Sequence, residues 1–175
     1  MTITKAPQQK VATQSLALNA RAFVANELIL IAAAALCAGM AIWYVATPFM
    51  GVATGSYILM LAGFILRKKR EFHVPLMLAA IAVDLSVVAI LEVERDAVKT
   101  AMSFSLGLVP QLHIAASATA VALYFPLLAL GFLLLRGSPS ARLRRAHRAL
   151  GLSAFAFRSL GFAFMFSLLL SRHAG

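Results

Sequence analysis

Residues 149–170 read ALGLSAFAFRSLGFAFMFSLLL, a run of 22 residues in which Arg158 is the only charge. A second apolar run, residues 72–91, reads FHVPLMLAAIAVDLSVVAIL and also holds one charge, Asp84. A helix needs about 20 apolar residues to cross a bilayer, so both runs predict transmembrane helices. A charge at membrane depth is expensive and usually faces a partner inside a helix bundle. We therefore expect Asp84 and Arg158 to meet between two helices that lie side by side.

The composition also indicates a membrane protein. The chain is 62% hydrophobic and 13% charged, with a mean hydropathy of +0.89. A soluble domain of this length does not need so much apolar surface. The net charge is +10, but the cations lie in short blocks between apolar runs, which is typical of orientation signals and not of nucleic-acid binding. Cys37 is the only cysteine, which excludes a disulfide framework and a cysteine-based metal motif.

Five apolar runs predict an all-α integral membrane bundle of five transmembrane helices. The predicted spans are residues 28–47, 48–66, 72–91, 106–135 and 149–170. Residues 1–25 form a predicted cytoplasmic N-terminal segment, and residues 26–175 form a single transmembrane domain. In the second span, Gly51-x-x-x-Gly55 brings two small residues to one helix face, which is typical of close helix packing in membranes.

The connections between spans predict the orientation of the bundle. Residues 67–70 read RKKR, and residues 136–148 hold five arginines and no acid. The connection between spans three and four carries three acids instead, Glu92, Glu94 and Asp96. By the positive-inside rule, the basic connections are cytoplasmic, so the N-terminus lies inside and the C-terminus outside. We expect a multi-pass protein of the bacterial inner (cytoplasmic) membrane.

A repeated spacing places the polar residues of spans three and five in layers. Asp84 lies eleven residues after His73, and Arg158 lies eleven residues after His147. Eleven residues are close to three helical turns, so each charge shares a helix face with its histidine and lies roughly 16 Å deeper. An inner layer of two histidines and a middle layer of two charges are therefore expected.

Span four adds a third polar residue to the middle layer. It runs in the opposite direction, and Tyr124 lies eleven residues after His113. Tyr124 is thus expected at the depth of Asp84 and Arg158, with His113 in an outer layer. Two interpretations of the middle layer stay open, a structural ion pair that locks the helices and a proton or ligand site.

The inner histidines suggest two kinds of metal chemistry. His73 and His147, at one level on neighbouring helices, fit the axial ligands of a haem b, and Gly151 would let the ring approach. Alternatively, Met77 lies one turn after His73, and a thioether beside an imidazole favours copper. Interfacial anchoring also explains either histidine alone. No motif for hydrolysis or nucleotide binding is present in the sequence, so we do not expect an enzyme.

Three segments resemble a known family. They are REFHVPLM at residues 70–77, LHIA at residues 112–115 leading into FPL at residues 125–127, and RRAHR at residues 144–148. In order and spacing they resemble the CtaM/YozB-type small bacterial membrane proteins, a domain-of-unknown-function family linked to assembly of haem–copper terminal oxidases. The resemblance covers about residues 67–170.

The resemblance implies an assembly or metal-delivery factor for copper. The implied metal ligands are His73, Met77, His113 and His147. Because His113 is expected at the opposite side of the membrane, the three histidines are not expected to share one mononuclear site. The chain departs from the family at residues 157–161, which read FRSLG where the family has an aromatic-rich stretch ending in Thr-Gly.

Three hypotheses on function follow. The first is a protein that assists assembly or copper loading of a respiratory membrane complex. The second is a structural accessory subunit of a respiratory or photosynthetic complex, without a cofactor. The third is a haem b electron carrier that uses His73 and His147. In each case the expected partners are the lipid bilayer and other membrane protein subunits, such as a haem–copper oxidase, and not nucleic acid.

Overall fold

The computed structural model of the chain describes residues 6–96, 99, 102–103, 106–137 and 140–173, with side chains over 19–94, 96, 99, 102–103, 106–137 and 140–167. Within these ranges the fold consists of long helices and contains no strand. The helices are α1 (Ala6–Val45), α2 (Pro48–Ile65), α3 (Arg70–Arg95), α4 (Leu108–Arg136) and α5 (Ala141–His173). All five are long and apolar enough to cross a membrane, which confirms the predicted all-α membrane bundle.

Two helices begin at least eight residues before their predicted spans. Helix α1 begins at Ala6, so it includes most of the predicted N-terminal segment. Helix α5 begins at Ala141, eight residues before the predicted start at residue 149. The arginines of residues 142–148 therefore occupy the first two turns of a helix and not a loop. Hydropathy marks where a helix enters lipid, but an arginine-rich helical turn in the interface looks like a loop by that measure.

A tight turn joins α1 to α2. Thr47 has an extended backbone, and its hydroxyl accepts a hydrogen bond of 3.2 Å from the N–H of Met50. Pro48 follows at the first helical position, where its missing N–H costs nothing. This cap begins α2 directly after the first span and forces the two helices to run antiparallel as a hairpin.

The hairpin packs through small residues. A Cβ atom added to Gly51 would lie 2.6 Å from the Gly39 carbonyl oxygen, closer than real contacts allow. A Cβ atom on Gly55 would lie 3.2 Å from the carbonyl oxygen of Ala35. The packing role predicted for Gly51-x-x-x-Gly55 is confirmed, because the two backbones approach only where side chains are missing.

Helices α2 to α5 form a closed four-helix ring. Each packs against the next in chain order, and α5 returns to α2, while α1 lies outside the ring, mainly against α2. Helices α3 and α5 are therefore diagonal partners and not the direct neighbours expected from the sequence. The reason is that α2 and α4 lie between them. The spacing of polar residues along one helix does not predict which helices become its neighbours.

The centre of the ring is a small apolar core. Every helix of the ring contributes to it: Met60, Ala80, Ile81, Ala120, Tyr124, Leu127 and Ala154. Outward positions carry exposed apolar side chains, such as Leu36 at 64% and Phe125 at 61% exposure. Apolar side chains are expected both in the core and on the outer surface of a bundle that is surrounded by lipid and not by water.

The two ends of the ring differ in charge. We call the end that carries residues 67–70 and 136–148 the basic end, because nine arginines and lysines lie there. Groove contacts between Arg70 on α3 and Leu135 on α4 show that these two segments meet at the same end. The opposite end carries Glu92, Glu94 and Asp96, and α3 stops there in a left-handed Asp96 with φ of 45°.

Candidate functional site

A buried ion pair crosses the centre of the four-helix ring. Arg158 Nε donates to Asp84 Oδ2 at 2.7 Å, and Arg158 Nη2 donates to Asp84 Oδ1 at 2.9 Å. This is the bidentate geometry in which a guanidinium and a carboxylate interact most strongly. Arg158 is 7% exposed and Asp84 is 8% exposed. The two charges therefore meet as expected, although their helices are diagonal, because the arginine side chain is long enough to reach across.

Two hydroxyl groups complete the coordination of Asp84. The Tyr124 hydroxyl donates to Oδ2 at 2.8 Å, and the Ser56 hydroxyl donates to Oδ1 at 2.6 Å. The carboxylate thus accepts four hydrogen bonds, and the four residues that take part come one from each helix of the ring. We call Ser56, Asp84, Tyr124 and Arg158 the central polar cluster. Its bonds satisfy both carboxylate oxygens in a medium without water.

The guanidinium has further partners on α2 and on its own helix. Its Nη2 atom also donates to the carbonyl oxygen of Ala53 at 3.2 Å. Its carbon lies 5.9 Å from the ring centroid of Tyr57 and 6.0 Å from that of Phe162, within the range of cation–π attraction. Arg158 is therefore held by a carboxylate, a carbonyl and two aromatic rings.

An aromatic stack joins α2 to α5 beside the cluster. Tyr57 and Phe162 are parallel with centroids 4.2 Å apart, and Phe64 and Phe155 are parallel with centroids 4.4 Å apart. The Tyr57 hydroxyl lies 3.0 Å from the Ser159 hydroxyl. These contacts give the phenylalanines of α5 a packing role, since rings at such distances contribute beyond their buried area.

Two predicted site histidines bind the backbone of a glycine on the neighbouring helix. His73 Nδ1 donates to the Gly63 carbonyl at 2.8 Å, and His113 Nδ1 donates to the Gly161 carbonyl at 2.7 Å. A carbonyl only accepts, so in the neutral ring Nδ1 carries the proton and Nε2 keeps the free lone pair. Each imidazole therefore braces a helix pair, α3 with α2 and α4 with α5.

The third histidine is partnered differently. His147 also faces a glycine, since a Cβ atom on Gly131 would lie 3.5 Å from His147 Cε1. Its Nδ1 is buried and makes no hydrogen bond of acceptable geometry, although the Leu127 carbonyl interacts with the ring. Both histidines of the inner pair expected from the sequence lie at the basic end, His73 in the first turn of α3 and His147 in the second turn of α5.

Met77 serves the packing of α3 against α2. A Cβ atom on Gly63 would lie 3.0 Å from Met77 Sδ, so the thioether covers the same glycine whose carbonyl binds His73. Gly151, expected to admit a haem, instead faces Leu127, whose Cδ1 would be 3.6 Å from an added Cβ. Met77 and Leu127 fill the interior near the histidine pair, which does not favour a macrocycle there.

The four predicted metal ligands do not converge. His113 binds Gly161, which lies fourteen residues after His147 on α5, about 21 Å along the helix axis. His113 and His147 are therefore near opposite ends of the bundle, in agreement with the predicted layers. Among the described side chains no group of three or more His, Cys, Asp or Glu residues is arranged to hold a metal ion. His73 and His147 are the two predicted histidine ligands that lie at the same end of the bundle.

Comparison of the chain with protein-family models, with curated proteins and with solved structures finds no match. The resemblance to the CtaM/YozB-type proteins stays a prediction from three short segments. Functional inference therefore depends on the geometry of the polar cluster, the histidines and the surface.

Several residues of the site were missed by sequence reasoning. Ser56 lies about halfway along the predicted second span, so depth alone places it level with Asp84, and this signal could have found it. Gly63, Gly131 and Gly161 carry no such signal. Their role depends on which helix lies opposite, and glycine in a membrane helix is common for other reasons.

Proposed function

We propose that this chain is a non-catalytic, multi-pass membrane protein that supports the assembly or stability of a larger membrane complex, such as a respiratory complex. The proposal depends on one observation: the polar groups of the central polar cluster find their hydrogen-bond partners within the chain. Asp84 accepts four hydrogen bonds from within the chain. Arg158 is bound by Asp84 of α3 and by Ala53 and Tyr57 of α2. A cluster of this kind holds helices in one arrangement.

The cluster is poorly suited to transport or proton relay. A relay needs a polar group that is open to a path, whereas Asp84 and Arg158 are both less than a tenth exposed and bonded to each other. Both carboxylate oxygens of Asp84 are instead bonded to side chains of the chain itself. The outward faces of α1, α3 and α4 are apolar, so they are suited to contact lipid or other membrane subunits.

The proposal is tested by deleting the gene and measuring the amount of each respiratory complex in the membrane by native electrophoresis and oxidase activity. We expect at least one complex to decrease and to recover when the wild-type gene is restored. A chain with His73→Ala, His113→Ala and His147→Ala together should also restore it, because the proposal gives the histidines no metal-binding or catalytic role and the central polar cluster is intact in this chain. Unchanged amounts of every complex after deletion would contradict the proposal.

Copper loading is a second candidate function, favoured by the buried Nδ1 of His147. This nitrogen makes no hydrogen bond of acceptable geometry, which is unusual for a buried polar atom, and the backbone bond of His73 uses Nδ1 and not Nε2. Neutral imidazoles suit copper among other metals. Copper would be a cargo held by His73 and His147, with Met77 occupied by packing against Gly63.

Metal analysis of detergent-purified protein tests this second candidate. Wild-type protein incubated with Cu(I) should retain about one copper per chain after gel filtration, and the His73→Ala/His147→Ala chain should retain none. His113→Ala is the matched control and should retain as much as wild type. Equal copper in all three chains would exclude the pair as a site. An absorption spectrum of the same sample tests the haem alternative through the Soret band.

A further inference from the structure

The basic end is rich in cations and poor in acids. Residues 67–70 hold four cations, and residues 136–148 hold five, with Glu71 as the one acid in either segment or next to it. Several of these heads are fixed near the membrane boundary. Arg67 lies 4.6 Å above the ring of Phe64, and Arg136 lies 4.1 Å above the ring of Phe132. This end is therefore a strongly positive surface at the level of lipid headgroups.

The start of α5 adds to this positive field. The first turns of a helix already carry the positive end of its dipole, and acids are usually found there. Helix α5 instead has no acid in its first turn and places Arg142, Arg144 and Arg145 within it or next to it. These side chains raise the local positive potential further, which favours an anionic partner over a neutral one.

A groove between α3 and α4 opens at this end. Its volume is about 420 Å³, and it is lined by Arg70, Glu71, Val74, Pro75 and Leu135. Arg70 and Glu71 are exposed at the first turn of α3, and the apolar residues Val74 and Pro75 lie one turn deeper. The groove is thus charged at its mouth and apolar along its wall. This division matches a phospholipid, with a headgroup at the boundary and an acyl chain below it.

We propose that this groove binds an anionic phospholipid. The phosphate lies at Arg70, the one cation among the residues that line the groove, and one acyl chain lies along Val74, Pro75 and Leu135. Basic sites between transmembrane helices are known to select anionic headgroups in this way. The carboxylate of Glu71 repels the phosphate and lowers the affinity for the lipid. Neutralising Glu71 should therefore have the opposite effect to neutralising Arg70.

The experiment measures lipid retention by full-length protein in detergent, using native mass spectrometry after addition of phosphatidylglycerol or phosphatidylcholine with the same acyl chains. Wild type should retain phosphatidylglycerol in preference. Arg70→Gln should weaken this retention about fivefold, the effect expected of one cation at the headgroup level. Arg67→Gln removes the same charge outside the groove and should change it less than twofold. Glu71→Gln should strengthen it.

A second variant separates a groove from a diffuse charge. Val74→Trp fills the apolar wall without changing the net charge, and it should abolish preferential retention while the helix content by circular dichroism stays constant. Equal losses in the Arg70→Gln and Arg67→Gln proteins, or no loss in Val74→Trp, would overturn the proposal. Competition by soluble glycerol phosphate at the concentration of the lipid would also overturn it, because a simple anion site would then explain the binding.

Discussion

Asp84 is the residue on which the interior depends, since its carboxylate accepts bonds from three other helices of the ring. Removing one partner of a buried pair leaves an uncompensated charge, whereas replacing both by apolar residues does not. We expect Arg158→Met alone to destabilise the protein by about 3–5 kcal/mol and Asp84→Leu/Arg158→Met to cost much less.

Unfolding in a detergent series measures both variants. Ser153→Ala, an exposed position on the same helix as Arg158, is the control and should lie within about 0.5 kcal/mol of wild type. If the double variant is as unstable as Arg158→Met, the loss of stability does not come from leaving Asp84 unpaired. The ion pair itself would then stabilise the fold.

Ser56 allows a finer test of the same cluster. Its hydroxyl donates to Asp84 at 2.6 Å and is 2% exposed, so Ser56→Ala removes one bond to a charged group and should cost about 1.5–3 kcal/mol. Ser86→Ala is the matched control, because that hydroxyl is exposed and bonds only to the carbonyl of Ala82 in its own helix. Similar midpoints for the two variants in thermal unfolding would argue against a structural role of the cluster.

At the level of elements, the contact of α1 with α2 depends on missing side chains. Gly51→Ala would place a Cβ atom 2.6 Å from the Gly39 carbonyl and 2.8 Å from Trp43 Cβ, so the helices must separate. We expect a loss of about 1–3 kcal/mol, the usual range for overpacking. Gly107→Ala has no atom within 4 Å of the new Cβ and serves as the control. Equal stability of the two variants would show that α1 and α2 are held by other contacts.

The sequence predicted some features of the helices correctly and not others. The eleven-residue spacing predicted correctly that Asp84, Tyr124 and Arg158 lie at one level of the bundle, because helical rise sets the distance between residues along one helix. It did not predict that α3 and α5 are diagonal, nor that His113 binds Gly161. Both depend on which helices become neighbours, and packing between apolar helices leaves little trace in one sequence.

For the whole molecule, the difference in charge between the two ends predicts its orientation. In a Cys37→Ala background, Lys68→Cys should be protected from a membrane-impermeant maleimide in intact cells, and Glu94→Cys should react. Both residues are exposed, so access and not burial decides the outcome. Labelling of residue 68 from outside would reverse the predicted orientation, and labelling after lysis provides the control for reactivity.

The ion pair joins residues that are 74 positions apart in the chain. At 5–20 residues per second, a ribosome needs roughly 4–15 s to make the arginine after it has made the aspartate. During that interval α3 must enter the membrane with a carboxylate that has no cation. A nascent chain that stops before α5 keeps this unpaired carboxylate among its helices. Completion of α5 therefore removes an unpaired charge from the interior that shorter chains retain.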